Sequence, residues 1–177
     1  MSGVSRWALG LPVALLLSAC QSPVAVADSA DGLQRSRSAT APVHIVSLAG
    51  KLDLSAYDLP DETYAMTAHK DADGHVRGSI AVRLSDPVVS FRGDVTCLQV
   101  QDDLAWVGVR VTQSDAALGS FAEGGTFWFR VQDNGEGANA AADRISFLNP
   151  NGGAARCNEK RTGLGLAFEI QGNVQIR

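Results

Sequence analysis

From Val43 onward the chain is a succession of short runs in which apolar and polar residues alternate, separated by Gly, Asp and Asn. A period of two marks a strand with one face on a core and the other in water. The pattern predicts strands at Val43–Leu48, Glu62–Lys70, Val76–Leu84, Val88–Arg92, Val95–Gln101, Leu104–Thr112 and Thr126–Gln132. Shorter runs at Arg144–Leu148, Leu164–Gln171 and Val174–Arg177 close the chain. The clearest local feature is a hairpin, in which Asp71-Ala72-Asp73-Gly74 joins ETYAMTAHK to VRGSIAVRL. In its second arm Val76, Ile80, Val82 and Leu84 share one face, and Arg77, Ser79, Ala81 and Arg83 the other. One short helix is expected near Ser114–Ala122, and no stretch has the length and periodicity of a packed amphipathic helix. The fold class expected is all-β: a single antiparallel β-sandwich or barrel of about eight strands.

Alternation also sorts the tryptophans. Val107, Val109 and Val111 share a face, which leaves Trp106 and Arg110 on the other; Phe127, Phe129 and Val131 likewise oppose Trp128 and Arg130. With the Val and Phe faces in the core, Trp106, Arg110, Trp128 and Arg130 form an outward candidate ligand-binding surface. Aromatics beside arginines are enriched at recognition hot spots, and an envelope glycan or a protein is the partner expected there. The competing reading is that a loop or a second layer covers the rings, since large aromatics are usually well buried.

The first twenty residues have a different texture. Arg6 precedes eleven apolar residues, Trp7–Leu17, which is a signal-peptide core and too short to span a bilayer as a helix. That core runs directly into Leu17-Ser18-Ala19-Cys20. The arrangement resembles the lipobox of bacterial lipoproteins. The resemblance implies that Cys20 is lipidated, becomes the N-terminus and attaches the protein to a membrane. Gln21, where an Asp would favour the inner membrane in such lipoproteins, points to the outer membrane, facing the periplasm. Residues 21–42 are rich in Ser, Ala and Asp and contain no aromatic residue, the composition of a disordered tether. The organisation expected is a signal peptide at 1–19, a tether at 20–42 and a β domain at 43–177, a length suited to a single core.

Composition narrows the partners. The formal charge is −4, and −5 once Arg6 is removed, so the chain has no general attraction for phosphate backbones and a nucleic-acid role is not expected. With Cys20 lipidated, Cys97 and Cys157 remain as an even pair in an oxidising compartment, and a disulfide is expected between them. Closing a loop of that length is worth ~4 kcal/mol in the chain-entropy account. The rival readings are two buried thiols, one reactive thiol, or a metal site that lacks the usual Cys and His spacing.

Candidate chemistry is sparse, and neither an enzyme nor a cofactor is expected. His69, His75, Asp71 and Asp73 surround the hairpin turn and suggest a metal site, but turns collect such residues for backbone reasons and no metal is expected. Asp133-Asn134-Gly135-Glu136 invites a calcium reading, although Asn-Gly is first a turn former. Gly-x-Ser-x-Gly and the phosphate-binding Gly-x-x-x-x-Gly-Lys-Ser/Thr are both missing, and Thr162-Gly163-Leu164-Gly165 lacks the third glycine of a dinucleotide loop. Cys157, Asn158 and His44 as a cysteine-hydrolase set compete with the disulfide.

Val131-Gln132-Asp133-Asn134-Gly135-Glu136-Gly137 and the ending Gly172-Asn173-Val174-Gln175-Ile176-Arg177 carry a second resemblance, joined by Asp71–Gly74 and Val95–Leu98. Together they resemble a widespread kind of secreted bacterial β domain that closes on Gly-Asn-Ile/Val-Gln-Ile. It covers roughly Thr63–Arg177 and implies a β fold and export, with no activity attached. The function expected is therefore a lipid-anchored cell-envelope protein with a non-enzymatic binding or structural role. The alternatives are a periplasmic inhibitor of a hydrolase such as lysozyme, and an envelope hydrolase using the carboxylates of Glu123, Asp133 and Glu136.

Overall fold

The computed structural model describes residues 42–177 apart from 86, 116–118, 151 and 164; the signal peptide, Cys20 and the tether lie outside the described residues. The strands are β1 (Pro42–Leu52), β2 (Glu62–Asp71), β3 (Val76–Ser85), β4 (Val88–Gln101), β5 (Leu104–Ser114) and β6 (Thr126–Gln132). The pieces β7 (Arg144–Ile145), β8 (Asn149–Pro150), β9 (Phe168–Glu169) and β10 (Gln171–Ile176) follow, with one helix, α1 (Gly153–Asn158), between β8 and β9. All pair antiparallel in one sheet, in the order β10-β1-β2-β3-β4-β5-β6-β7-β9, with β8 added on β6. Only Ile170 separates β9, which pairs with β7, from β10, which pairs with β1, so the sheet nearly closes into a barrel.

The interior follows from the alternation. Val46, Leu48, Met66, Ile80, Val82, Val107, Val109, Phe127 and Phe129 are buried in one apolar cluster, and their chain neighbours point outward. The β2–β3 hairpin turns at Asp71–His75: the Asp71 carboxylate accepts the His75 N–H at 2.8 Å, and Gly74 takes a φ of +84°. Residues 88–101, expected as two strands, form one. Bulges near Gly93 and between Val95 and Cys97 keep the ladder running where a broken pattern suggested a turn. The second bulge inserts Thr96 and flips the side-chain phase. Phe91, Gly93 and Val95 point inward before it, while Leu98 points inward and Cys97 outward after it.

That flip allows the Cys97–Cys157 disulfide, with Cα atoms 6.2 Å apart. It ties α1 to the outside of the barrel wall. Gly108 of β5 makes room, since a Cβ there would stand 3.0 Å from the backbone of Gly153 and Ala154. The helix thus sits at 153–158, inside what reads in sequence as a loop. The segment expected to be helical carries only the end of β5 and a 3-10 turn at Gly119–Phe121 among its described residues.

Candidate functional site

The two ends of the barrel differ in chemistry. At the end where β1 begins, Asp71, Asp73, Asp102, Asp103 and Asp133 lie in or beside the turns. Leu52 pairs with Glu62 at the opposite end, ten residues from Pro42, which places that end about 33 Å away along the strand. Four of the five large apolar residues exposed among the described residues lie there, Tyr57, Leu59, Val88 and Phe147, and the fifth, Val43, at the opposite end. A patch of this kind at one end of a small domain marks an interaction site more often than chance exposure does.

Beneath this rim lies a cavity of about 150 Å³. Leu52, Leu84, Phe91, Phe121, Phe147 and Phe168 supply its apolar walls, and the Phe168 ring stands nearly perpendicular to those of Tyr57 and Phe147 at centroid distances of 5.4 and 4.3 Å. The loop between β1 and β2 forms one side of the mouth. It is held by Asp61, which accepts the Leu54 N–H at 3.2 Å and pairs with Lys51 at 2.7 Å. Glu62 and Tyr64 line the same cavity, and the Tyr64 hydroxyl donates to Glu62. Burial pushes the Glu62 carboxyl above its ordinary 4.5, partly opposed by the tyrosine's hydrogen bond. It also pushes Tyr64 well above its ordinary value of 10.0. Asp53, Asp58, Asp61 and Glu62 against Lys51 make the loop net acidic. An apolar pocket with a partly desolvated carboxyl and an acidic lip has the chemistry to accept an apolar body with a cationic head.

The surface expected from alternation is on the outer wall, yet it is not open. Trp106 and Trp128 are 3% and 4% exposed, because α1 and the residues after it cover them. The Trp106 indole N–H donates to the Arg161 carbonyl at 2.8 Å. The guanidinium of Arg130, itself buried, lies over the Trp106 ring at 5.4 Å, with Lys160 at 5.9 Å. The ligand surface of Trp106, Arg110, Trp128 and Arg130 is therefore corrected to a second small core around the disulfide. Only Arg110 stays exposed, across the ladder from Asp94.

The other candidates resolve as follows. Asp71, Asp73 and His75 bring their ligand atoms within 4.8 Å of one another on an exposed turn, without His69. Cys157 is in the disulfide, so no thiol remains there for a hydrolase set with His44. The Asp133 carboxylate accepts the N–H groups of Gly135 and Ile176, both at 2.9 Å, and Glu136 accepts from Gln175 at 3.3 Å. These acidic groups hold the chain's end in place; Glu123 lies exposed on a separate loop. Comparison with protein-family models, with curated proteins and with solved structures finds no match.

Sequence reasoning missed Glu62. The signal was present: Glu62, Tyr64, Met66 and Ala68 share one parity, so a carboxylate occupies the inward phase of a strand.

Proposed function

We propose that this protein is a lipid-anchored component of the bacterial cell envelope that binds a small cationic amphiphile in the mouth of its β-barrel and catalyses no reaction. The observation that supports binding is the half-buried Glu62 lining the cavity beside Tyr64, beneath a rim of exposed apolar residues. A bound cation offsets the cost of ionising that carboxyl, and the apolar walls take the body of the ligand. A volume near 150 Å³ suits a ring or a short alkyl chain, so the occupant is a small molecule or one side chain of a partner. Anchoring rests on Leu17-Ser18-Ala19-Cys20, with the outer membrane as its place and the acylated Cys20 as its hold. Pro42, the first described residue, enters β1 at the end of the barrel opposite the mouth.

Calorimetric titration of the purified protein with benzylammonium, benzyl alcohol and benzoate tests the binding claim. The expected order of affinity is benzylammonium, then the alcohol, then benzoate, with the preference for the cation lost in Glu62→Gln. Equal binding of benzoate and benzylammonium, or no binding of either, contradicts it.

A further inference from the structure

On the wall of the barrel, away from both the mouth and α1, lies a shallow trough of about 720 Å³. Its floor comes from two neighbouring cross-strand rows. One row is Asn173, Ala49, Ala65, Ala81 and Arg92; the other is Gln175, Ser47, Thr67, Ser79 and Asp94. Both rows cross five strands, from β10 to β4, which gives the trough a length on the order of 20 Å.

Its borders are cationic. The next row on one side carries Arg83, with Lys51 already paired to Asp61; the next row on the other carries Arg77. Their positions in β3 are six residues apart on the same outward phase, so the two arginines flank the floor from backbones about 20 Å apart. Arg92 closes the end. Among the described residues Arg77, Arg83 and Arg92 make no ion pair with a carboxylate; the acidic groups at the trough are Asp94, opposite Arg110 in the ladder, and Glu136 at the β10 end, where it accepts from Gln175 at 3.3 Å. A chain of formal charge −4 thus gathers unpaired arginines around one groove. That is the electrostatic complement of an extended anion.

We infer that this trough binds an acidic polysaccharide, a chain of sugars bearing carboxylates. Each row has a matching role. The methyl groups of Ala49, Ala65 and Ala81 offer a flat apolar strip for ring faces. The hydroxyls and amides of Ser47, Thr67, Ser79 and Asn173 exchange hydrogen bonds with sugar hydroxyls. The arginine forks take the carboxylates. A free anion is too small to use a groove of this length. A flat lipid surface meets the rim and leaves the floor empty. No aromatic side chain lines the floor on which a base could stack.

The test uses the full-length protein purified in detergent, with immobilised polygalacturonate as the acidic polymer and dextran as the neutral one. Wild type is expected to bind polygalacturonate and not dextran. Replacing Arg77, Arg83 and Arg92 together by Gln is expected to weaken binding at least tenfold. Ala65→Phe fills the exposed floor without altering any charge and is expected to weaken it comparably. Vesicles of phosphatidylglycerol are expected to bind more weakly and to ignore Ala65→Phe. Failure of wild type to bind polygalacturonate overturns the inference, and so does equal binding of dextran. Unchanged affinity in Ala65→Phe, or vesicle binding as tight as polymer binding, reduces the trough to a general basic surface and overturns it too.

Discussion

The carboxylate of Asp133 accepts the backbone N–H of Ile176 at 2.9 Å, across 43 residues of chain. Asp143 does the same for Val174 at 2.6 Å and accepts the Asn134 N–H at 2.8 Å with its other oxygen. In the β1–β10 ladder Arg177 exchanges both backbone bonds with Ile45, so the N–H groups of Ile176 and Val174 face away from β1, toward the seam of the barrel. An edge strand with free N–H groups is a template for unwanted pairing. Here side-chain carboxylates take the place of a neighbouring strand.

Removing these carboxylates strands the donors. Asp143→Ala leaves the buried Val174 N–H without its partner, a loss of about 1–3 kcal/mol. The melting temperature is expected to fall by roughly 4 °C per kcal/mol for a domain of this size. Asp133→Ala is expected to cost less, because its site is half-exposed. Amide exchange at Ile176 distinguishes the two variants: it accelerates far more in Asp133→Ala than in Asp143→Ala if each carboxylate caps its own donor.

The disulfide sets the next expectation. Cys97 and Cys157 are 60 residues apart, and opening the loop they close is expected to cost about 4 kcal/mol. Thiol titration of the unfolded, unreduced protein is expected to find neither of them free. The paired variant Cys97→Ala, Cys157→Ala is expected to melt well below wild type, with α1 detaching first because the bond holds it to β4.

Tryptophan emission reports on that same cover. In a chain carrying Trp7→Phe, only Trp106 and Trp128 remain. Their emission is expected to be blue-shifted and poorly quenched by acrylamide, and to move red in Gly108→Val, which pushes α1 off β5. Red emission in the parent chain contradicts the buried cluster.

Strand alternation made most of the barrel readable. The hairpin 62–85, the β6 run 126–132 and the opposing faces of β5 and β6 stand where period-two reasoning puts them, because each buries one face on a single core. The same reasoning placed Trp106 and Trp128 on the outer wall. It did not reveal the cover over them, since α1 is six residues long and starts at Gly152 without a side-chain cap. Glycines and an alanine pair gave that stretch no helical period. The expected disulfide was legible from cysteine count, whereas the bulge at Thr96 that aims Cys97 outward was not. The two end segments, Val131–Gly137 and Gly172–Arg177, read separately as a turn and a tail. Their meeting through Asp133 and Ile176 is a fact of barrel closure, beyond local pattern.

Burial of Glu62 sets a pH dependence. Its carboxyl is raised above 4.5 in the folded state, so the folded protein holds that proton more tightly than the unfolded chain does. This contribution to stability is full below pH 4.5 and is lost as pH rises through the folded value. Glu62→Gln mimics the protonated form and keeps an acceptor for Tyr64. It is expected to melt above wild type at pH 7, with the gap closing as the pH falls below 4.5.

The proposed anchor is checked by metabolic labelling with a radioactive fatty acid. Label is expected in the wild-type chain and not in Cys20→Ser, which is expected to persist as a larger form outside the detergent phase.

The claim that the barrel mouth is a binding site is tested most directly by amide chemical shifts during titration with benzylammonium chloride. Saturable shifts are predicted at Leu54, Leu59, Glu62, Phe147 and Phe168, with little change along β4 and β5 beneath α1 and with benzoate producing none of them. Shifts scattered over the wall, or equal shifts from benzoate, contradict a cation-accepting mouth.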